Sequence, residues 1–482
     1  MAIFSHFSLY KAEIGLSIGI EHLRSKRIGR TIFPVPGAPT KPGSDEAAGY
    51  RPAAMVRTPW GDAGTLRDRK LRPGQRLPAE EVARNQRERL FAALVAVVAE
   101  KGYEATRVED LLDLSGVSRS AFYAHFRDKQ DCLLAAVDAF LEPTVRGIVE
   151  DGGRPHGAER GRRVLDSLLT RIVEQPAAAR MCFVEIFAAG PLAIEAVDRA
   201  IDTFQAFVAA TLDEIPGSEG MPPEVVRAIV GGLRKVMHTR LYRGEEAELL
   251  ELAPHLFDWA VSYRTPPQPL RRPRTRLPAT ANRTEGYDQA ERILRALAAV
   301  VAEKGYPEMT VGDVAAKASI SLSTFYAHFP DREEAMLAAI DSGSAQMLAT
   351  TLPAFRRGSD WPHAIRSALG SMFAFAAAEP EYTTLGAVDI YAAGKRALAQ
   401  RDQIIEGMEA LLAPGFERNP GASPIAGEAI GGAIYSLIYD QVKRAGAETM
   451  PEIAPLAAYV TLAPFVGPEE ACAVANGDGR GR

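Results

Sequence analysis

Ser115-Gly116-Val117-Ser118-Arg119-Ser120-Ala121-Phe122-Tyr123-Ala124-His125-Phe126 decides the fold of this chain, because it holds a turn, a cap and an amphipathic helix, and because the chain uses it twice. Gly116 is suited to the positive φ of a tight turn, and Ser118 is placed to cap a helix. Phe122 and Phe126, at i and i+4, face one side. Phe325-Tyr326-Ala327-His328-Phe329 repeats Phe122 to Phe126 at a shift of 203 residues (325 − 122), and Val97 to Tyr103 recurs as Val300 to Tyr306 at the same shift. The match runs without a gap from Glu88–Asp138 to Glu291–Asp341, with about half the positions identical. One backbone plan is therefore used twice.

Working outward, a helix is expected to end at Gly102, a Thr106-x-x-Glu109 capping box to open a short helix through Leu111 and Leu114, and the turn at Gly116 to lead into a third helix. That is the pattern of a helix-turn-helix. The second copy offers Thr310-Val311-x-Asp313 as its box and puts Ser319 where the first has its turn glycine, a departure that strains or reshapes the turn. Apolar residues recur at three-to-four spacing in Leu90, Leu94, Val97, Val98 and in Ile293, Leu297, Val300, Val301, with no alternating strand pattern to compete. Breaks fall at Gly152-Gly153, Pro176, Pro216 to Pro223, Pro353, Pro380 and Pro414 to Pro424. The expected class is all-α, with eight to ten helices in each half.

The duplication extends further. Gln175-Pro176 and Ile186-Phe187-Ala188-Ala189-Gly190 line up with Glu379-Pro380 and Ile390-Tyr391-Ala392-Ala393-Gly394, Gly231-Gly232 with Gly431-Gly432, and Leu252-Ala253-Pro254 with Ile453-Ala454-Pro455. An Arg-rich arm ending in Arg-Leu-Pro-Ala precedes each copy, at Arg76 to Ala79 and Arg276 to Ala279. Glycine inside a helix costs about 1 kcal/mol relative to alanine, so a Gly-Gly pair at the same place in both halves points to close approach of another helix. The composition, 47% hydrophobic and 24% charged, is that of a globular protein with cores, and 482 residues are too many for one. Cys132, Cys182 and Cys472 are too few and too widely spaced for a disulfide framework or metal knuckle, which favours a reducing cytoplasm. Met1 to Leu23 is broken by His6, Lys11, Glu13, Glu21 and His22 and reads as neither a membrane span nor a signal peptide; Met55 stands as an alternative start.

Both copies resemble the DNA-binding region of the TetR family of transcriptional regulators. Gly102-Tyr103, Thr106, Val108, Gly116-Val117-Ser118, Tyr123, His125-Phe126 and Lys129 carry the resemblance in the first; Gly305-Tyr306, Thr310-Val311, Ile320-Ser321, Tyr326, His328-Phe329 and Arg332 carry it in the second. The resemblance implies a tandem duplication in which each half is an N-terminal three-helix helix-turn-helix DNA-binding domain followed by a helical regulatory and dimerisation domain. The expected boundaries are 1–79 for a disordered extension with its basic arm, 80–131 and 132–263 for the first half, 264–283 for a Pro/Arg linker arm, 284–334 and 335–468 for the second half, and 469–482 for a flexible tail.

A recognition helix enters the major groove with its first residues, so Ser118, Arg119, Ser120 and Ala121 form one reader and Ser321, Leu322, Ser323 and Thr324 the other. Arg119 suits bidentate contact to guanine, worth ~1 to 3 kcal/mol, whereas Leu322 and Thr324 offer a thymine methyl contact or a single hydrogen bond. The half-sites are therefore expected to differ. Tyr123, His125, Lys129, Tyr326, His328 and Arg332 sit where the family grips the phosphate backbone. The resemblance further implies a double-stranded operator, repression, a four-helix dimer interface that the two halves can form within one chain or between two, and a small-molecule effector. Phe183, Glu185, Phe187, Asp389 and Tyr391 are the candidate effector contacts, against the plainer reading that they are core or paired. No motif for catalysis, a cofactor or a metal is present: there is no Gly-rich phosphate loop, His-Glu-x-x-His or nucleophile elbow. The net charge of −5 is compatible with a locally basic surface. The competing reading is an α-helical interaction scaffold with one or both readers degenerate.

Overall fold

The computed structural model describes residues 56–71, 77–151, 156–273 and 288–478. Among these the chain forms helices and tight turns with no strand. In the first half the helices are α1 (Ala79–Ala105), α2 (Val108–Ser115), α3 (Arg119–His125), α4 (Lys129–Asp151), α5 (Gly157–Glu174), α6 (Pro176–Phe183), α7 (Pro191–Asp213), α8 (Pro223–Arg243) and α9 (Glu248–Ala260). The second half repeats them as α10 (Gln289–Lys304), α11 (Val311–Ala318), α12 (Leu322–His328), α13 (Arg332–Arg356), α14 (Trp361–Ala378), α15 (Pro380–Ala387) and α16 (Lys395–Glu409), then α17 (Ala413–Arg418), α18 (Ala426–Ala445) and α19 (Ala454–Asn476). Their starts follow local chemistry. Asp288, Asp331 and Asp360 accept from the backbone N–H groups of Glu291, Glu334 and His363, while prolines open α6, α7, α8 and α15, where a missing N–H costs nothing.

Several stretches expected to be tails or linkers are folded. Leu66 is fully buried against Ala92 and Ala93, Trp60 lies 5.1 Å from Phe91, and Arg67 Nε donates to the Asp113 carbonyl at 2.8 Å, so part of 1–79 is a strap on the first helix-turn-helix. Its apolar anchors outweigh the Pro and Gly content that suggested disorder. In the linker, Tyr459 Oη donates to the Arg264 carbonyl at 2.5 Å and Asn476 Nδ2 to the Pro269 carbonyl at 3.2 Å. The same contacts order the expected tail, since α19 runs through residues 469–476 and buries Cys472. The stretch Ala447–Asn476 is long and apolar enough to cross a membrane, with 67% of its most apolar window buried inside the structure. The remaining parts of the extension, arms and tail lie outside the described residues, and so do the two Arg-Leu-Pro-Ala copies apart from residues 77–79.

The halves meet where α8 crosses α18, the most extensive helix pair among the described residues. A Cβ added at Gly231 would lie 2.3 Å from Ser436 Cβ, and one added at Gly432 would lie 2.2 Å from Lys235 Cβ. Only hydrogen fits there, so the paired glycines let two backbones touch. Around the crossing Arg240 pairs with Glu428 at 3.0 Å, Arg227 with Asp440 at 3.0 Å and Lys235 with Asp402 at 2.9 Å. Below it Tyr263, wholly buried, donates to the Val460 carbonyl at 2.9 Å. The two halves of one polypeptide thus form the bundle between them.

His238 is buried in this seam, and burial, reinforced by Arg401, lowers its pKa to about 3. The unfolded chain takes up that proton near 6.5 and the folded one does not, so stability falls as pH drops from 6.5 toward 3. At pH 5 the loss from this group is about 2 kcal/mol. Urea unfolding of His238→Gln is expected to show a shallower decline between pH 6.5 and 4.5 than the parent; equal slopes would mean that the imidazole is protonated in the folded state.

Candidate nucleic-acid interface

Each reader is built by a turn and a cap. Gly116 adopts the left-handed conformation (φ 65°), and the Ala121 N–H donates to Ser118 Oγ at 3.2 Å to start α3. In the second copy Ser319 takes the same conformation (φ 56°), so the turn keeps its shape and the strain sits in a non-glycine residue. The Thr324 N–H donates to Ser321 Oγ at 3.1 Å. The expected Thr106 box is displaced by one residue. Thr106 Oγ1 is buried and donates to the Gly102 carbonyl, while the Arg107 N–H donates to Asp110 Oδ2 at 2.7 Å. In the second copy Thr310 and Asp313 form the full reciprocal box.

Ser118, Arg119 and Ser120 are exposed at the start of α3, with Ala121 half-buried; Ser321, Leu322 and Ser323 are exposed at the start of α12, with Thr324 half-buried. Arg119 Nη2 lies 2.7 Å from Glu109 Oε1, a pair more than half exposed and so weakly held. Leu322 is 52% exposed, as are Tyr123 at 51% and Tyr326 at 54%, which is unusual for side chains of this size. Behind them Phe122 and Phe325 are fully buried.

Of the other expected phosphate contacts, Lys129 and His125 are half-buried, whereas Arg332 and His328 are exposed. Lys129 Nζ donates to the Tyr103 carbonyl at 2.9 Å and the Thr106 carbonyl at 2.8 Å, and lies 4.3 Å from the centre of the Tyr103 ring. Burial lowers its pKa. Arg332 Nη1 donates to the Met309 carbonyl at 3.1 Å and its guanidinium lies 5.0 Å from the Tyr306 ring. His125 Nε2 is 2.8 Å from Gln86 Oε1, and His328 Nε2 is 3.0 Å from Gln289 Oε1. Burial followed by Arg87 lowers the His125 pKa, which favours a neutral ring donating to Gln86. All four side chains thus contact neighbouring groups of their own domain, with Arg332 and His328 still open to solvent. Gln86 and Gln289 went unnoticed in the sequence, although they stand at the same 203-residue shift (289 − 86) just ahead of the ungapped match.

The candidate effector residues do not share one site, although Phe187 and Tyr391 both line the cleft between the halves. Glu185 is buried and its Oε2 accepts from the Tyr103 N–H at 3.0 Å, tying the end of the first helix-turn-helix domain to the helices behind it. Phe187 meets Tyr391 across the halves at 4.6 Å, and Phe183 lies at the end of α6. Burial pushes the Asp389 carboxyl up to about 7. None of the five lines the cavity of about 220 Å³ enclosed in the second half by α13, α14, α15, α16 and α18.

Two exposed recognition helices, each on a three-helix domain and each backed by a helical body, define a tandem helix-turn-helix protein. The family model described as bacterial regulatory proteins, tetR family, matches residues 90–136 and again 293–339, so the chain carries two modules of that family's type in tandem. It is 31% identical over 74 residues to the HTH-type transcriptional regulator YerO of Bacillus subtilis (strain 168), covering 14% of this chain and 26% of that one. It is 32% identical over 77 residues to the HTH-type transcriptional activator FasR of Mycolicibacterium smegmatis (strain ATCC 700084 / mc(2)155), covering 16% and 33%. The chain thus spans about a quarter and about a third of these relatives' lengths. A solved structure of the fatty acid degradation regulator FadR from Bacillus halodurans overlays with a TM-score of 0.34 at 15% identity, covering 37% of this chain and 97% of that one.

The turn supplies a stability test. A Cβ at Gly116 would lie 3.2 Å from Arg89 Nη2 and 3.3 Å from Arg67 Cγ, in a conformation that L-residues avoid. Gly116→Ser is expected to lower the stability of the full chain by about 1 to 2 kcal/mol in denaturant unfolding. An unchanged midpoint would show that this turn tolerates a side chain as the second one does.

Proposed function

We propose that this protein is a DNA-binding transcriptional regulator in which one polypeptide supplies both readers of an imperfect palindrome. The seam between the halves carries this reading. Under the 200-residue shift that aligns α8 with α18 (431 − 231), Arg240 corresponds to Asp440, Arg227 to Gly427 and Ala228 to Glu428. Two first halves paired symmetrically would set Arg227 against Arg240, and two second halves would set Asp440 against Glu428. Only unlike halves bring opposite charges together. That favours an intramolecular pseudo-dimer over a homodimer, with readers placed about 34 to 36 Å apart for successive major grooves.

Ser118, Arg119, Ser120 and Ala121 read one half-site, and Ser321, Leu322, Ser323 and Thr324 the other. Tyr123 and Tyr326, exposed beside them, contact phosphates. His125, His328, Lys129 and Arg332 act through the position of the recognition helix. The protein is a non-enzymatic, cytoplasmic repressor, released when an effector alters the spacing of its readers. Naming of the relatives as transcriptional regulators supports the regulator class.

Selection of bound sequences from a random duplex pool tests the reading. An asymmetric palindrome is expected, with a log-log salt slope near −0.9 per neutralised phosphate; no enrichment would favour a helical scaffold. Arg119→Ala should cost ~1 to 3 kcal/mol and relax preference in one half-site alone, whereas equal relaxation in both would contradict unlike readers. For the seam, Arg240→Glu is expected to destabilise the chain by ~3 kcal/mol or more, because Arg240 and Glu428 are both largely buried. Adding Glu428→Arg should recover much of that loss. A double variant no better than the single would mean the pair does not specify the partnership.

A further inference from the structure

The cavity of the second half is lined by small or apolar residues at positions where the first half carries larger or polar ones. Gly386 and Ala387 line the cavity, and their counterparts at a 204-residue shift (390 − 186) are Cys182 and Phe183. Gly427, Ile434 and Ile438 also line it, and their counterparts are Arg227, Arg234 and His238. At one further place Gly343 with Tyr382 replaces Phe140 with Ala178, an exchange that leaves the local volume even. Arg227, Arg234 and His238 border the cleft of about 60 Å³ between the halves, which Tyr391, Arg401 and Tyr435 of the second half also line, against about 220 Å³ for the cavity of the second half. The larger figure exceeds the ~150 Å³ void that accepts a benzene ring.

Inside the larger cavity nearly all surfaces are apolar, but two polar atoms are buried without a hydrogen bond: Glu409 Oε1 and Thr351 Oγ1. Thr351 itself is fully buried. Glu409 ends α16 beside two more acids, Glu406 on its own helix and Glu428 on α18. The nearby cations are engaged, Lys235 with Asp402 and Arg243 with Glu406. Arg401, which also lines the cavity, is held by Asp402 at 2.8 Å and lies 5.3 and 5.0 Å from the rings of Tyr391 and Tyr435. Among the described lining residues an acidic head group would meet the Glu409 carboxyl and an Arg401 already held by Asp402, whereas a protonated amine would pair with Glu409, whose acidic neighbours Glu428 and Glu406 are taken by Arg240 and Arg243.

We propose that the chain binds one effector per polypeptide, in the second half alone, and that this effector is an apolar molecule whose protonated amine pairs with Glu409. The regulatory consequence rests on the regulator reading above; the binding does not. Burial, followed by Glu428 and Glu406, raises the Glu409 pKa to about 7, with Lys235 and Arg243 opposing. Amine binding needs the ionised carboxylate, so affinity should rise from pH 6 to pH 8.

The test titrates the full chain, without DNA, with octylamine, octanol and octanoate, three head groups on one tail. Calorimetry is expected to give one octylamine per chain, bound at least 10-fold tighter than octanol, and no octanoate binding. Glu409→Gln should weaken octylamine about 10-fold, leave octanol unchanged and abolish the pH dependence. A Cβ added at Gly386 meets no atom within 4 Å, so Gly386→Leu should fill the cavity and abolish binding while helicity and melting temperature hold. If that variant is unfolded, Ala387→Phe, which installs the first half's residue, serves instead. Two octylamines per chain, none, a preference for octanoate, or binding that survives the filled cavity would each overturn the proposal. Operator affinity of the unliganded variants, measured separately, tells the two readings apart: loss of DNA recognition with the amine site intact removes the regulator role only.

Discussion

Backbone contact between α8 and α18 is the constraint on which the rest of this structure depends. A helix pair can approach this closely only where side chains are absent, and Gly231 and Gly432 supply that absence from opposite halves. Close approach then fixes what surrounds it. Charges flanking the crossing are withdrawn from water and must find partners, and they do so across the halves, with Arg240 on Glu428 and Arg227 on Asp440. A fusion of two copies would otherwise leave each half free to pair with another chain. The unlike charges favour an unlike half over a like one.

From that seam the influence runs outward to the DNA end along identifiable contacts. Glu185, behind the first helix-turn-helix domain, accepts from the Tyr103 N–H, and Lys129 holds the carbonyls of Tyr103 and Thr106. The recognition helix is pinned from the other side by His125 on Gln86. The second copy uses His328 on Gln289 and Arg332 on the Met309 carbonyl for the same purpose. Lys129 and His125 are thus engaged within their own domain, while His328 and Arg332 stay exposed, as do the two tyrosines and the first residues of α3 and α12.

Much of this was legible in the letters. Duplication, three-to-four spacing, turn glycine and serine cap lead directly to paired helix-turn-helix units, since each is a local signal that the fold obeys. The repeated Gly-Gly pair correctly announced a close helix crossing. What was not legible depends on contacts distant in sequence. Leu66 and Trp60 sit in a Pro- and Arg-rich stretch whose composition hides two apolar anchors, and their burial needs Ala92 and Phe91 already in place. The same holds for Lys129, whose inward turn depends on carbonyls released where α1 ends. Aromatics near a carboxyl do not mark the second-half cavity, which is made by small residues such as Gly386 and Ala387 that show in a sequence only as missing volume.

Unequal halves also change what an effector has to do. In a symmetric dimer two identical sites act on one interface, and a half-occupied state is an intermediate. Here Arg401 lines both the cavity of the second half and the cleft between the halves, and it shares Asp402 with Lys235 of the first half. A ligand that shifts Arg401 would therefore act on Asp402, which pairs with Lys235 across the halves. Coupling between cavity and readers is then a difference in binding free energy between two arrangements of a single seam, without cooperativity between sites. Under the proposed amine site, with one ligand per chain, the response should follow a simple saturation curve.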